Sequence, residues 1–386
     1  MKIDFDQVIN RTDSDSAKWR HFGPDVLPLW VADMDFLSPE PVIQALAQRA
    51  GHGVFGYPGD PAELREVIVA RLERLYGWKV SPEAIVWLPG VVTGFNLAIH
   101  AFAEPGDGCL VQTPVYPPFL GSPRYHGLTR QDAPLVRQAD GRYTIDYDVF
   151  EAAITPKTRI FVLCNPHNPV GRVFTQEELR SMAEICLRHD VLICSDEIHC
   201  DLVFSGNRHI PLAALSPEVS QRTVTLMAPS KTFNIAGLNC AFAVIEDGDM
   251  RKRYNTARSG LVGGPNLLGL TAALAAYRDG GEWLDALLVY LEGNRDFLVN
   301  TVRSEMPQVQ VQAPEGTYLA WLDYRQTGIQ GDPSAFLLKN ARIALNDGPA
   351  FGAGGEGFAR LNFGTPRSIL AEALERMKAA LAGLAG

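Results

Sequence analysis

The sequence predicts an α/β protein, with a large domain on a mainly parallel sheet followed by a smaller α+β domain. Two observations carry that class. From about residue 80, short apolar runs alternate with amphipathic stretches, the pattern of repeated strand–helix–strand units. After Gly280-Gly281, at the end of an apolar helix over Leu267 to Tyr277, the order changes to a long helix, two strands and a final helix. A length of 386 residues exceeds one ordinary domain, and 46% hydrophobic with 20% charged residues is the composition of a globular enzyme. The chain is therefore expected to divide into residues 1–50, packing with the small domain, a large domain over 51–280 and a small one over 281–386.

The strands are read from β-branched and apolar runs: Ile85 to Leu88, Cys109 to Gln112, Ile160 to Cys164, Val191 to Ser195, Thr223 to Met227 and Cys240 to Ile245. Between the third and fourth, Thr175 caps a helix over 176–189. Glu178 completes a capping box there, and Leu179, Met182, Ile185 and Cys186 fall on one face. Downstream, Glu282 to Met306 reads as a helix, Val309 to Gln312 and Tyr318 to Asp323 as strands, and Ser368 onward as a terminal amphipathic helix. Unusual residues follow the strands directly: PGVVTG after Leu88, TPVYPP after Gln112, NPHNPVG after Cys164, DEIH after Ser195 and APSK after Met227. Ligands of open parallel sheets bind at the carboxyl ends of strands, so these five loops are expected to converge on one site.

Lys231 organises that site. A lysine is seldom buried without a partner, and one at a strand's end has its pKa lowered by burial. It is then a free amine able to form a Schiff base with an aldehyde cofactor, pyridoxal 5'-phosphate (PLP) being the obvious one; the alternative is a solvated surface lysine. Asp196 follows the apolar VLICS, where a carboxylate needs a partner: a protonated pyridine nitrogen, a structural salt bridge and a helix cap each meet that need. His199, three residues on, shares its face if the segment is helical and would then stiffen the carboxylate by a hydrogen bond; the alternative is a packed core histidine. Asn168 offers a neutral donor for a phenolate oxygen, or simply builds an Asn-Pro turn. Tyr116 between prolines can stack on a flat ring, and Tyr57 in GVFGYPG is the other aromatic in a rigid turn; the alternative for both is a loop anchor. Gly90-Val91-Val92-Thr93-Gly94 opens the helix that reaches Phe102, and its free N–H groups suit a phosphate; the turn is equally a simple strand-to-helix connection. Arg360, after FGAGGEGF, is placed to clamp a carboxylate.

Composition removes other classes. A net charge of -9, with RKR at 251–253 as the only dense basic run, disfavours nucleic-acid binding. No apolar run reaches the roughly 18 residues that span a membrane, and the polar, acidic start has no signal-peptide core. The six cysteines read as reduced core thiols, so the cytoplasm is expected. Cys194, His199 and Cys200 lack a CxxC or HExxH companion, and no metal is expected. There is neither a GxGxxG fingerprint nor a Walker loop.

NPHNPVGR, SDEIH, PSKTF and RLNFGTP, in that order, resemble the class I/II aminotransferase-like PLP enzymes of fold type I. LPLWVADMDF, GVFGYPG, LPGVVTGF and EGTYLAW resemble its cystathionine β-lyase, or C-S lyase, branch. The resemblance spans nearly the whole chain. It implies a seven-stranded-type sheet, Lys231 as Schiff-base lysine, Asp196 at the pyridine nitrogen, Asn168 near the ring hydroxyl and Tyr116 stacked on the ring. It also implies Arg360 on the substrate carboxylate, and a homodimer in which Tyr57 reaches the neighbouring subunit's phosphate. Histidine at 199, where many aminotransferases carry tyrosine, fits the lyase branch. Two positions depart from the aminotransferase pattern: Asn239 stands for an arginine eight residues after the lysine, and Ala228 for a serine three before it. Ser230 and Thr232 remain as phosphate candidates. The expected reaction is α,β-elimination of L-cysteine S-conjugates to a thiol, pyruvate and ammonia. Transamination shares its early steps, and a regulatory protein that keeps the fold is the reading from another class.

Overall fold

The computed structural model describes residues 3–384, so residues 1–2 of the first segment above and 385–386 of the last lie outside it. Its centre is a seven-stranded sheet in the order Ile85–Leu88, Ala241–Val244, Thr223–Met227, Leu192–Asp196, Thr158–Cys164, Gly108–Val111, Thr129–Asp132. Only Ala241–Val244 runs against its neighbours; the other four pairings are parallel. Six of the seven strands coincide, within a residue or two at their ends, with the apolar runs of the sequence. Their interior positions are almost all buried, as continuous β-branched runs require when helices cover both faces. The seventh, Thr129–Asp132, carries no apolar signal because it is a polar, solvent-exposed edge.

The capping box of Gln176–Arg188 forms: Glu178 N–H donates to the Thr175 hydroxyl at 3.2 Å, and Thr175 N–H to the Glu178 carboxylate at 2.8 Å. Beyond Gly280, the 25-residue helix Gly281–Glu305 and the terminal helix Arg367–Ala382 pack together. Beside them lies a four-stranded antiparallel sheet, Gln310–Val311, Leu319–Asp323, Phe358–Asn362 and Asn346–Asp347. The segment 1–50 divides. Leu27–Pro28 pairs with Ile343–Ala344 of the C-terminal part, whereas helix Glu40–Gly51 packs on Leu267–Asp279, before the glycine pair. One apolar core joins these parts, running from Phe5 and Leu29 through Leu64 and Leu287 to Leu319 and Leu374.

Helix Val91–Phe102 lies close on the sheet because Gly94 has no side chain: a Cβ there would come within 2.7 Å of Leu226 and 3.0 Å of Leu88. That close approach brings the helix's first turn to the carboxyl edge of the strands.

Candidate active site

The five loops meet at a cavity of about 550 Å³, a size suited to a cofactor with its substrate. Gly90, Val91, Val92 and Thr93 line it with Ser230 and Asn239; Tyr116, Asn168, Asp196, His199, Lys231 and Arg360 complete its polar wall. No side chain caps the helix that begins at Val91, which leaves its first N–H groups for a ligand.

Lys231 sits in the short helix Pro229–Thr232 that follows the Thr223–Met227 strand. Its amine donates to the Ala32 carbonyl at 2.6 Å, and Tyr318 donates its hydroxyl to the same oxygen at 2.8 Å. The side chain keeps some exposure, but to the cavity, with protein around it on every side. Burial lowers its pKa to about 8; the positive charge of Arg360 adds to the shift, against the pull of Asp33 and Asp196.

Asp196 ends its strand almost wholly buried and accepts the Ile198 N–H at 3.0 Å. Burial pushes its carboxyl up to about 7, and the adjacent Glu197 charge adds to that shift, opposed by the Ile198 bond and Lys231. His199 is not on a helix with it. Residues 198–201 form a turn, the backbone rather than His199 satisfies Asp196, and the expected Asp196–His199 hydrogen bond is absent. The His199 ring instead meets the Tyr318 edge at 5.9 Å and its Nδ1 has no partner. Burial, with the charges of Lys231 and Arg360, drives it down to about 3, so the imidazole is neutral.

Arg360 and Asn168 are joined: the guanidinium donates to Asn168 Oδ1 at 3.0 Å, which turns the amide N–H₂ of Asn168 away from Arg360. Arg360 also donates to the Trp30 carbonyl at 2.8 Å and to Asn346 Oδ1, and lies 5.1 Å over the Phe351 ring. None of these partners is an anion, and its Nε is unpartnered. A guanidinium 4% exposed with only neutral acceptors is a ready receptor for a carboxylate. Tyr116 is half-buried at the start of helix Pro117–Tyr125, its hydroxyl held neutral by burial and by nearby Asp196.

Tyr57 is not among these residues. It lies in the irregular stretch before helix Ala62–Tyr76 with its side chain at 105% exposure, outside the cavity. Thr232 also leaves the group: wholly buried, it points away and donates to Asp201 Oδ2 at 2.9 Å. Sequence reasoning missed Trp30, Ala32 and Asn346, and read Thr93 only as part of PGVVTG. Trp30 and Ala32 belong to the LPLWVADMDF motif, which was a signal without an assigned place; Asn346 gave none.

The profile of the aminotransferase class I and II family matches residues 24–377, and the chain belongs to that family. Within it, the chain is 41% identical to cystathionine beta-lyase PatB of Bacillus subtilis over 98% of this chain and 100% of that protein. A PLP-bound putative aminotransferase from Clostridium difficile superposes with a TM-score of 0.96 at 38% identity, covering 98% of this chain and 100% of the other. The PLP-bound C-S lyase of Staphylococcus hominis superposes with a TM-score of 0.93 at 33% identity, covering 98% and 99%. The fold is that of these PLP enzymes.

Proposed function

We propose that this protein is a PLP-dependent carbon–sulfur lyase that eliminates a thiol from L-cysteine S-conjugates of the cystathionine kind, giving pyruvate and ammonia. Its full-length identity of 41% to a cystathionine β-lyase carries the choice of elimination over transamination. The donor set fits the cofactor on observations of this chain. Asp196 is a buried carboxylate in need of a cation, which a pyridinium nitrogen provides. The uncapped helix start at Val91 offers N–H groups to a phosphate, and Lys231 offers an amine of lowered pKa to the aldehyde. Bound PLP supplies an electron sink for the bond at the substrate Cα.

The residues do the rest. Arg360 binds the substrate carboxylate and holds the Cα–H bond in a fixed direction. With its amine free, Lys231 Nζ would take the Cα proton as general base. Asp196 would hold the positive ring nitrogen, Tyr116 would stack on the ring, and Asn168, fixed by Arg360, would donate its amide to the ring oxygen, with the neutral His199 in the same cavity. Gly90, Val91, Val92 and Ser230 would hold the phosphate. The exposed Tyr57 is assigned to the partner's phosphate in a homodimer, and the six buried free cysteines support a reducing cytoplasm. Among the described residues no helix is long and apolar enough to cross a membrane.

The test is pyruvate release from L-cystathionine without any keto acid. Its appearance supports the lyase; a strict need for a keto acid, with cofactor bleaching by amino acids, would make the protein an aminotransferase. Light scattering should give a dimer, and a fully active monomer would remove the role of Tyr57.

A further inference from the structure

The segment Trp30 to Phe36 is read by side chains from two parts of the chain. Arg360 donates to the Trp30 carbonyl at 2.8 Å, Lys231 to the Ala32 carbonyl at 2.6 Å, and Asn234 to those of Met34 and Phe36 at 2.9 and 2.8 Å. Between the first two comes Asn362. Its amide bridges the carbonyls of Val31 and Asp33 at 2.6 and 2.7 Å, and its Oδ1 accepts the Gly364 N–H at 2.8 Å. Side chains two apart on a strand share a face, so Arg360 and Asn362, in one strand, address the same segment. Asn362 is wholly buried and all its hydrogen-bonding capacity faces the backbone. It grips the residues on either side of Ala32, and so fixes where the Ala32 carbonyl points.

We infer that Asn362 is a positioning residue for the general base: through Val31 and Asp33 it aims the Ala32 carbonyl, which receives and orients the Lys231 amine once the substrate has released it. This rests on the proposed role of Lys231. The Ala32 carbonyl oxygen is the acceptor within reach of the Lys231 amine, at 2.6 Å. Tyr318, sharing that oxygen, fixes the carbonyl from a second direction. A Schiff base with bound PLP would occupy the Lys231 amine, so Ala32 would serve it only when that amine is free. Asn362 therefore acts on proton transfer without acting on the resting cofactor.

That asymmetry is the test. In the PLP-loaded protein in heavy water, exchange of the Cα proton of L-alanine reads proton transfer without requiring a leaving group. Asn362→Ala should slow exchange at saturating alanine by roughly a hundredfold, the cost of misplacing a reacting group by about 1 Å. The resting absorbance spectrum should stay unchanged and the half-saturating alanine concentration should move by less than about threefold. Tyr318→Phe, which keeps the ring against His199, should slow exchange by a smaller factor, with the same unchanged spectrum. Exchange at the wild-type rate in Asn362→Ala would overturn the inference, as would a shift of the resting spectrum as large as the loss of exchange. If Asn362→Ala does not fold, Tyr318→Phe decides, and an unchanged exchange rate there would refute the role of Ala32. Failure of the lyase reading looks different: wild type would exchange the alanine proton normally yet release no pyruvate from thioethers.

Discussion

Two buried clusters of charge touch the segment Trp30 to Phe36, and they differ in how their charges are paired. In the N-terminal cluster Lys18 lies 2.7 Å from Asp35, Arg11 lies 2.6 Å from Asp35 and 2.9 Å from Asp33, and the Trp19 indole donates to Asp35 at 2.7 Å. Burial alone would raise the Asp35 carboxyl, but Lys18, Trp19 and Arg11 outweigh it and hold it below the ordinary range. In the cavity, Lys231, Asp196 and Arg360 are enclosed without an opposite charge in hydrogen-bond contact, and each is pushed towards its neutral form. A buried charge with its partner is a strut. A buried charge without one belongs to a ligand, and the contrast locates the active site independently of any motif.

The sharpest way to break this contrast is at the lysine. Lys231→Ala should lower pyruvate release by roughly 10⁴-fold, the upper range for a general base, with far-ultraviolet circular dichroism unchanged. A variant that kept a tenth of wild-type turnover would remove Lys231 from the chemistry.

Asp196 gives the next effect, on stability rather than rate. Its carboxyl titrates near 7 in the folded chain against an ordinary 3.8, so between these values the folded state holds a proton that the unfolded chain has released. In the cofactor-free protein, stability from this group is thus present below about pH 4 and is lost as the pH rises to 7, by on the order of 4 kcal/mol. Asp196→Asn should abolish that slope in urea titrations of the cofactor-free protein, and PLP should abolish it in wild type by supplying the cation. Lys231 contributes in another window: its lowered value of about 8 against 10.5 is a cost present below pH 8 and relieved as the pH rises to 10.5. An unchanged slope in Asp196→Asn would mean that the carboxylate is already paired.

The N-terminal cluster should answer in the opposite way. Lys18→Met leaves Asp35 buried with one cation fewer, and should cost about 3 kcal/mol in urea unfolding at every pH where Asp35 is ionised. Lys18→Met with Asp35→Leu should recover most of that loss, since Arg11 keeps Asp33. If the double variant were as unstable as the single one, the pair would be more than a strut.

The same contrast explains what was legible in the sequence. Strands with continuous apolar runs, the Thr175 capping box and the residues that follow each strand could be read directly, because period, cap and loop are local properties. Lys231, Asp196, Asn168 and Tyr116, in or beside those loops, line one cavity together with Arg360, which lies within the Phe358–Asn362 strand. The Thr129–Asp132 strand was not legible, being polar at an edge, nor was the turn at 198–201, where three-residue spacing alone suggested a helix. Lys18 and Arg11 gave no signal, since their partners lie 15 to 24 positions away, and Asn362, within RLNFGTP, had no assigned place because its partners Val31 and Asp33 lie 331 and 329 positions away.

Thr232 gives the smallest effect and separates local pattern from tertiary placement most cleanly. Adjacent to Lys231, it reads as a phosphate ligand, yet its hydroxyl is buried against Asp201, which Arg71 also holds at 2.6 Å. Thr232→Val keeps the shape and removes one hydrogen bond to a carboxylate that retains its arginine. The expected loss is about 1 kcal/mol of stability, with PLP affinity unchanged within about twofold and Thr232→Ser restoring the stability. Ser230→Ala, at the residue that does line the cavity, should instead weaken PLP binding with little effect on unfolding. If the two variants exchanged these effects in fluorescence titrations of PLP, the threonine would belong to the ligand and Asp201 to nothing but the scaffold around Arg71.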